Sequence, residues 1–318
     1  MRERRSQLVL GLDPDPGALW PPVAPAGNGR VAHGDGAARV RDEQLQPLAR
    51  AVVEHCRALI DAAGSFCVAV KLQLARFEAL GADGWTATRA VGAHARSAGL
   101  MVIADGKRAD IDVSAAAYAS ALFDGAHTPY GRAEGIGADL VTVNPLMGAD
   151  ALVPIVDRAR EVGGGVFVLV RTSNPGARDV QDAELRGGGA LWERLAAIVE
   201  DLGAGGVGAS GLSDVGAVLG ATEPEHLQRA RALMPRAVFL LPGVGAQGGR
   251  VEDLAPAFAP GRAGGLITVS RAISDAHLGA GGEPAEAARA QAQRLRDAGW
   301  SLSDGACGGA RRKDAARR

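Results

Sequence analysis

Eight short apolar runs punctuate this chain, and most are followed by a stretch of helical rather than alternating periodicity. The runs are Leu8–Leu12, Cys67–Val70, Met101–Ala104, Leu140–Val143, Val166–Val170, Val215–Leu219, Val238–Leu241 and Leu266–Val269. They are rich in Val, Leu and Ile and lack polar alternation, so they read as strands buried on both faces, as parallel strands of an α/β protein are. Between them, Leu45, Leu48, Val52, Cys56, Leu59 and Ala63 fall at helical spacing behind Asp42, a predicted N-cap. Similar segments lie near 84–97, 113–123, 149–160, 189–201, 224–233 and 284–298. Such alternation over roughly 250 residues predicts an α/β fold of the (β/α)8 TIM-barrel type, built as a single domain. A doubly wound open sheet would call for a glycine-rich phosphate turn after its first strand, whereas the first run ends Gly11-Leu12-Asp13-Pro14.

The barrel is predicted to occupy 1–300. It carries a long loop at 14–41, rich in Pro, Gly and Ala and without periodicity. Residues 301–318 end in a run of small and basic residues and are predicted to form a disordered tail. Lys plus Arg (35) nearly balances Asp plus Glu (36), so no global field favours a nucleic acid or a membrane surface as partner. Three cysteines (Cys56, Cys67, Cys307) form an odd set without C-x-x-C spacing, which argues against a disulfide framework or zinc site and predicts a cytoplasmic protein. The N-terminal apolar run is too short for a signal peptide, and nothing approaches the roughly 18 apolar residues of a membrane span.

In a barrel of this kind, chemistry gathers at the C-terminal ends of the strands. Read in order, those positions are Asp13, Lys71, Asp105 with Lys107 and Asp110, Asn144, Thr172-Ser173-Asn174, Thr222, Gln247 and Ser270-Arg271. A single polar residue at such a place is often a helix cap, and Asn144 and Thr222 fit that reading. A full ring of charged and amide groups after runs built for burial points to a ligand pocket. Of the 35 basic residues, only Lys71, Lys107 and Lys313 are lysine. Arginine serves as well for solubility but does not readily give up a proton, so the two lysines at strand exits are predicted to be there for chemistry.

Asp105-Gly106-Lys107-Arg108-Ala109-Asp110 is the densest cluster. On an extended exit, residues i and i+2 point the same way, which brings Asp105 and Lys107 into one pocket. Flanking carboxylates favour the ammonium form of Lys107 and suit it to donate a proton rather than to form a Schiff base. Further on, Pro242-Gly243-Val244-Gly245-Ala246-Gln247-Gly248-Gly249 and Ser270-Arg271 are the expected phosphate site: glycine-rich backbone amides beside a guanidinium, after the last two strands. None of the six histidines stands at a strand exit, so neither a histidine base nor a His-rich metal site is predicted. Asp13, Asp105 and Asp110 could hold magnesium, but Lys107 between two of them competes for that role.

With these residues in view, residues 7 to 273 resemble the orotidine 5′-phosphate decarboxylase family, in its longer bacterial branch. The likeness rests on Gly11-Leu12-Asp13-Pro14, Lys71 with Phe77-Glu78, Asp105-x-Lys107-Arg108-x-Asp110-Ile111, Thr142-Val143-Asn144-Pro145, Thr172-Ser173-Asn174-Pro175, Pro242-Gly243-x-Gly245-x-Gln247 and Ser270-Arg271. Seven motifs in family order at the right strand exits are far more specific than any one of them. The resemblance implies conversion of orotidine 5′-phosphate to UMP without cofactor or metal. Lys107 would protonate C6, Asp105 would face the substrate carboxylate, and Lys71 and Asp110 would complete an alternating charge network. Asp13 and Lys71 would bind ribose hydroxyls, Ser173 the pyrimidine, Gln247 base and phosphate, and Arg271 the phosphate; Asn144 belongs to the same set of substrate-binding positions. Asp110, Ile111 and Ser114 would reach into a partner's site, making a homodimer with shared active sites. Leu72-Gln73-Leu74-Ala75-Arg76 differs from the commoner proline-containing version after the first lysine, and Ser114 stands where threonine is usual. The rival readings are a metal-dependent sugar-phosphate decarboxylase of the same suprafamily, which would want a carboxylate where Lys71 stands, and a non-catalytic phosphate-binding barrel.

Overall fold

The computed structural model describes residues 1–20 and 42–315. The eight runs form eight strands: β1 (Leu8–Leu12), β2 (Ala69–Gln73), β3 (Met101–Arg108), β4 (Leu140–Val143), β5 (Gly165–Arg171), β6 (Val215–Leu219), β7 (Phe239–Leu241) and β8 (Gly265–Val269). They close into one barrel in chain order, every neighbour parallel, with β8 returning to β1 through Leu8–Ile267, Val9–Thr268 and Leu10–Val269.

Alternation along each strand sorts side chains into two layers. Leu8, Leu10 and Leu12, Val70 and Leu72, Val102 and Ala104, and Val141 and Val143 point outward and pack under the helices in one large core. Val9, Ala69, Ile103, Phe167, Val218, Leu240 and Leu266 point inward and fill the barrel floor as a second cluster. The polar exits are the next inward positions above that floor. The apolar plug below them closes the barrel, so the site is a cup rather than a channel.

Helices cover the outside, among them Asp42–Ala63, Gly81–Ser97, Asp112–Leu122, Val153–Glu161, Leu191–Gly203 and Glu225–Leu233. Between β7 and β8 the covering segment, Val251–Phe258, is a 3-10 helix containing Pro256, which cannot donate to an α-helical ladder. It is tied to the preceding helix by the buried Arg231. That guanidinium donates to the carbonyls of Met234, Ala237, Ala257 and Gly264 at 2.7–2.9 Å and lies 3.7 Å over the Phe239 ring.

Three features depart from the sequence expectation. The proposed surface loop begins with an anchor: Trp20 is buried, donates its indole N–H to the Ser274 carbonyl at 2.9 Å and meets the His55 ring edge-on. Residues 21–41 of that loop lie outside the described residues. A short hairpin, Ala126–Thr128 paired with Gly131–Ala133, follows Asp112–Leu122. The fold also does not end at residue 300. The last helix runs from Pro284 to Ala315, and within it Ser303 is fully buried and accepts a hydrogen bond from Gln7 at 2.7 Å. The beginning of the segment expected to be a disordered tail is therefore helical and tied to the residue just ahead of β1, and 316–318 lie outside the described residues. No helix among the described residues is long and apolar enough to cross a membrane.

Candidate active site

A cavity of about 490 Å³ opens at the C-terminal mouth of the barrel. Asp13, Lys71, Asp105, Lys107, Ser173, Gln247 and Arg271, all expected from the sequence, line it. Its floor is Leu169, Val218 and Leu240, the upper face of the inner plug.

Asp105 is the hub. Lys71 Nζ donates to its Oδ2 at 2.6 Å and Lys107 Nζ to its Oδ1 at 2.6 Å. Thr142 donates to Oδ1 at 2.8 Å, and Gln73 reaches Oδ2 at 3.5 Å. Burial alone would push this carboxyl up, but the two ammonium groups outweigh it and hold Asp105 at about 2. Burial works against the charge on Lys71 as well; Asp105 and Asp13 reverse that and raise its pKa above the ordinary lysine value. Lys71 is buried, whereas the Lys107 side chain is 42% exposed, so Lys107 is the lysine a ligand in the cavity can reach. Lys71 therefore stays charged at neutral pH, and the Asp105 carboxylate it shares with Lys107 stays ionised.

The route by which Lys107 reaches Asp105 differs from the extended exit assumed from the sequence. The β3–β4 register shifts between Ala104 and Arg108, and Lys107 adopts φ +49°. A left-handed lysine is costly without support. Here the Lys107 N–H, taken off the strand ladder, donates to Thr142 Oγ1 at 3.0 Å.

At the opposite rim, Ser173 Oγ donates to Gln247 Oε1 at 2.8 Å, joining the β5 exit to the glycine-rich loop. Gly243, Gly245 and Gly248 of that loop have φ of 105°, 82° and 91°, which non-glycine residues rarely adopt. The amides of Gly245, Gly248 and Gly249 are spent inside the loop, on the carbonyls of Gly249, Gly245 and Gly243. That leaves Arg271, at the start of the short helix Arg271–Ser274, as the principal cation for an anion at this end. Gly11 allows that exit to approach, because a Cβ there would stand 1.8 Å from Ser270 Oγ.

Four of the site residues implied by the resemblance do not line this cavity, and neither does Thr222. Asn144 closes a local turn by accepting the Leu146 N–H at 3.0 Å, and is not the helix cap that the sequence suggests, since the next helix begins only at Val153. Asp110 accepts the Ile111 N–H at 2.8 Å, and Ile111 and Ser114 lie on the exposed surface where Asp112–Leu122 begins. Within one chain, Lys107 is therefore paired with Asp105 and not with Asp110. The structure adds Gln73, Thr142, Gln181 and Thr268 to the cavity wall. Gln73 was recoverable from the sequence, being two residues beyond Lys71 on the same inward face. Gln181 comes from beyond a four-residue helix after β5 and left no pattern; it receives the Thr172 N–H at 2.8 Å. Among the described residues, Asp182, Glu223 and His226 are grouped closely enough to hold a metal ion, but the buried Arg171 takes both carboxylates.

A model of the Orotidine 5′-phosphate decarboxylase / HUMPS family matches residues 6–291. An orotidine 5′-phosphate decarboxylase of Deinococcus radiodurans is 40% identical over 92% of this chain and 92% of its own length. One from Azoarcus is 38% identical over 93% and 94%. Among solved structures, the OMP decarboxylase of Leishmania donovani superposes with a TM-score of 0.68 at 30% identity, covering 95% of this chain and 96% of that one.

Proposed function

The chain belongs to the orotidine 5′-phosphate decarboxylase / HUMPS family, and on that premise we propose that Lys107 protonates C6 as orotidine 5′-phosphate loses carbon dioxide directly to give UMP. The protein is a carbon–carbon lyase of pyrimidine biosynthesis. The observation that carries the residue assignment is the Lys71–Asp105–Lys107 chain at the cavity wall, in which both ammonium groups bond one buried carboxylate and only the Lys107 side chain is open to a ligand.

The chemistry follows from that charge order. A substrate carboxylate placed against ionised Asp105 is repelled, by roughly 4 kcal/mol at 4 Å and an effective dielectric near 20. Breaking the C6–carboxyl bond removes that repulsion as neutral carbon dioxide departs. The electron pair stays on C6, where Lys107 stabilises it and then supplies the proton. These effects fall short of a barrier reduction of order 20 kcal/mol, so distant contacts must also contribute. Arg271 grips the phosphate, Gln247 bridges phosphate and base, and Ser173 bonds the pyrimidine. Asp13 and Lys71 take ribose hydroxyls; Asp13 Oδ1 is buried and lacks a hydrogen-bond partner among the described residues, 3.7 Å from Lys71 Nζ. The partner's Asp110, Ile111 and Ser114 complete the site in a homodimer, a reading supported by their position on an exposed face beside the β3 exit. We assign no cofactor: Lys71 occupies the strand exit where a metal-dependent relative would need a carboxylate. A cytoplasmic location fits the buried free thiols Cys56 and Cys67.

The test is ultraviolet absorbance of orotidine 5′-phosphate with the purified protein in excess EDTA. Rapid spectral loss that Lys107→Ala reduces by a factor on the order of 10²–10⁴ is the expected result. Turnover only on adding magnesium would transfer the protein to the metal-dependent reading. Tight nucleotide binding without turnover in either buffer would make it a binding barrel.

A further inference from the structure

We propose that Thr142 is a positioning residue for the reaction, holding Asp105 and the backbone of Lys107 in their working arrangement through a single hydroxyl. This rests on the reading of Lys107 as proton donor. Thr142 lies in β4 between Val141 and Val143, which pack outward, so its own side chain faces into the barrel. The residue is 1% exposed. Its Oγ1 accepts the Lys107 N–H at 3.0 Å and donates to Asp105 Oδ1 at 2.8 Å.

A hydroxyl has one proton to give. Since the Lys107 amide can only donate, that proton must go to Asp105, and the orientation is fixed. The same Oδ1 accepts Lys107 Nζ at 2.6 Å. Lys107 is therefore held at both ends, by its amide on Thr142 and by its ammonium on the carboxylate that Thr142 orients. The β3 shift is what makes the hydroxyl necessary: it removes the Lys107 N–H from the strand ladder at a residue with φ +49°. A partly buried amide, off the strand ladder, and a strained lysine would otherwise lack the contact that fixes them. A threonine chosen only as a β-branched strand filler would serve equally well as valine, and that difference can be tested.

Thr142→Val keeps the shape and removes the hydroxyl; Thr142→Ser keeps the hydroxyl and removes the methyl. With orotidine 5′-phosphate as substrate and UMP as binding probe, Thr142→Val is expected to lower kcat by roughly 10–100-fold, the usual scale for a supporting hydrogen bond behind a reacting group. KM and the Kd for UMP are expected to stay within about threefold, because no substrate contact is removed. Thr142→Ser is expected to keep kcat within about threefold of the parent. Should the valine variant fail to fold, Thr142→Ala against Thr142→Ser carries the same comparison. Parent-like kcat without the hydroxyl, or serine falling as far as valine, would overturn the proposal while leaving the decarboxylase reading intact. A parent chain that does not turn over the substrate would overturn both.

Discussion

Asp105 shows how one residue links folding stability to the charge of the cavity. Its carboxylate is buried, yet it is held at about 2 by two ammonium groups, so folding favours its charged form. A folded pKa below the unfolded value of 3.8 gives stability that is fully present above about pH 4 and is lost as pH falls through 4 toward 2. The size is roughly 2 kcal/mol. Lys71 runs the other way: its raised pKa gives stability that is present at neutral pH and lost only above the ordinary lysine range. Lowering the pH from about 5 to about 2 should therefore reduce the urea-unfolding free energy of the parent by about 2 kcal/mol more than that of Asp105→Asn. Parallel decline of the two would show that Asp105 is not paired as described. The lysines themselves were legible from the sequence, because arginine fills nearly every other basic position. The left-handed turn at Lys107 was not, since an apolar pattern encodes which face a residue takes and carries no mark of a register shift.

At the scale of elements, the strand exits work because neighbouring backbones come unusually close. β1 and the β8 exit meet at Gly11, where a Cβ would clash with Ser270 Oγ at 1.8 Å. Gly11→Ala must push Ser270 and the adjoining Arg271 aside, at an overpacking cost of roughly 1–3 kcal/mol. The expected outcome is a lower Tm and a KM for orotidine 5′-phosphate raised about tenfold, corresponding to about 1.4 kcal/mol of lost phosphate contact. An unchanged KM would detach Arg271 from phosphate binding. All eight strands could be read from the sequence because burial on both faces leaves short runs rich in Val, Leu and Ile and free of charge. The hairpin at Ala126–Ala133 could not, because its strand residues are exposed and have no apolar alternation. The helix beyond residue 300 was hidden for a related reason: Gly305, Gly308 and Gly309 argue against a helix, and its anchor, Ser303 on Gln7, is a contact across almost the whole chain. Gln181 reached the cavity wall through a loop, where no periodicity operates.

The whole molecule raises the question of why an exit with a complete charge pair should leave Asp110 outside. Beside that exit, Ile111 is 56% exposed and Val113 77%, with Leu146 at 76% after β4 and Tyr118 further along the same helix. Scattered exposed apolar residues are normal, but a group of them around the mouth of a functional cavity is a surface expected to be covered. A two-fold dimer would cover it with the same surface of a second copy and carry each Asp110 toward the other's Lys107. That arrangement predicts complementation. Lys107→Ala and Asp110→Ala would each be nearly inactive alone. Unfolded together and refolded as an equimolar mixture, half of the dimers would be mixed, and each mixed dimer would hold one site with both residues intact. About a quarter of the parental activity should return, and it should disappear on dilution to concentrations at which sedimentation shows monomers. No recovery from a mixture shown to contain mixed dimers would mean that Asp110 serves its own chain, and that the exposed face has another use.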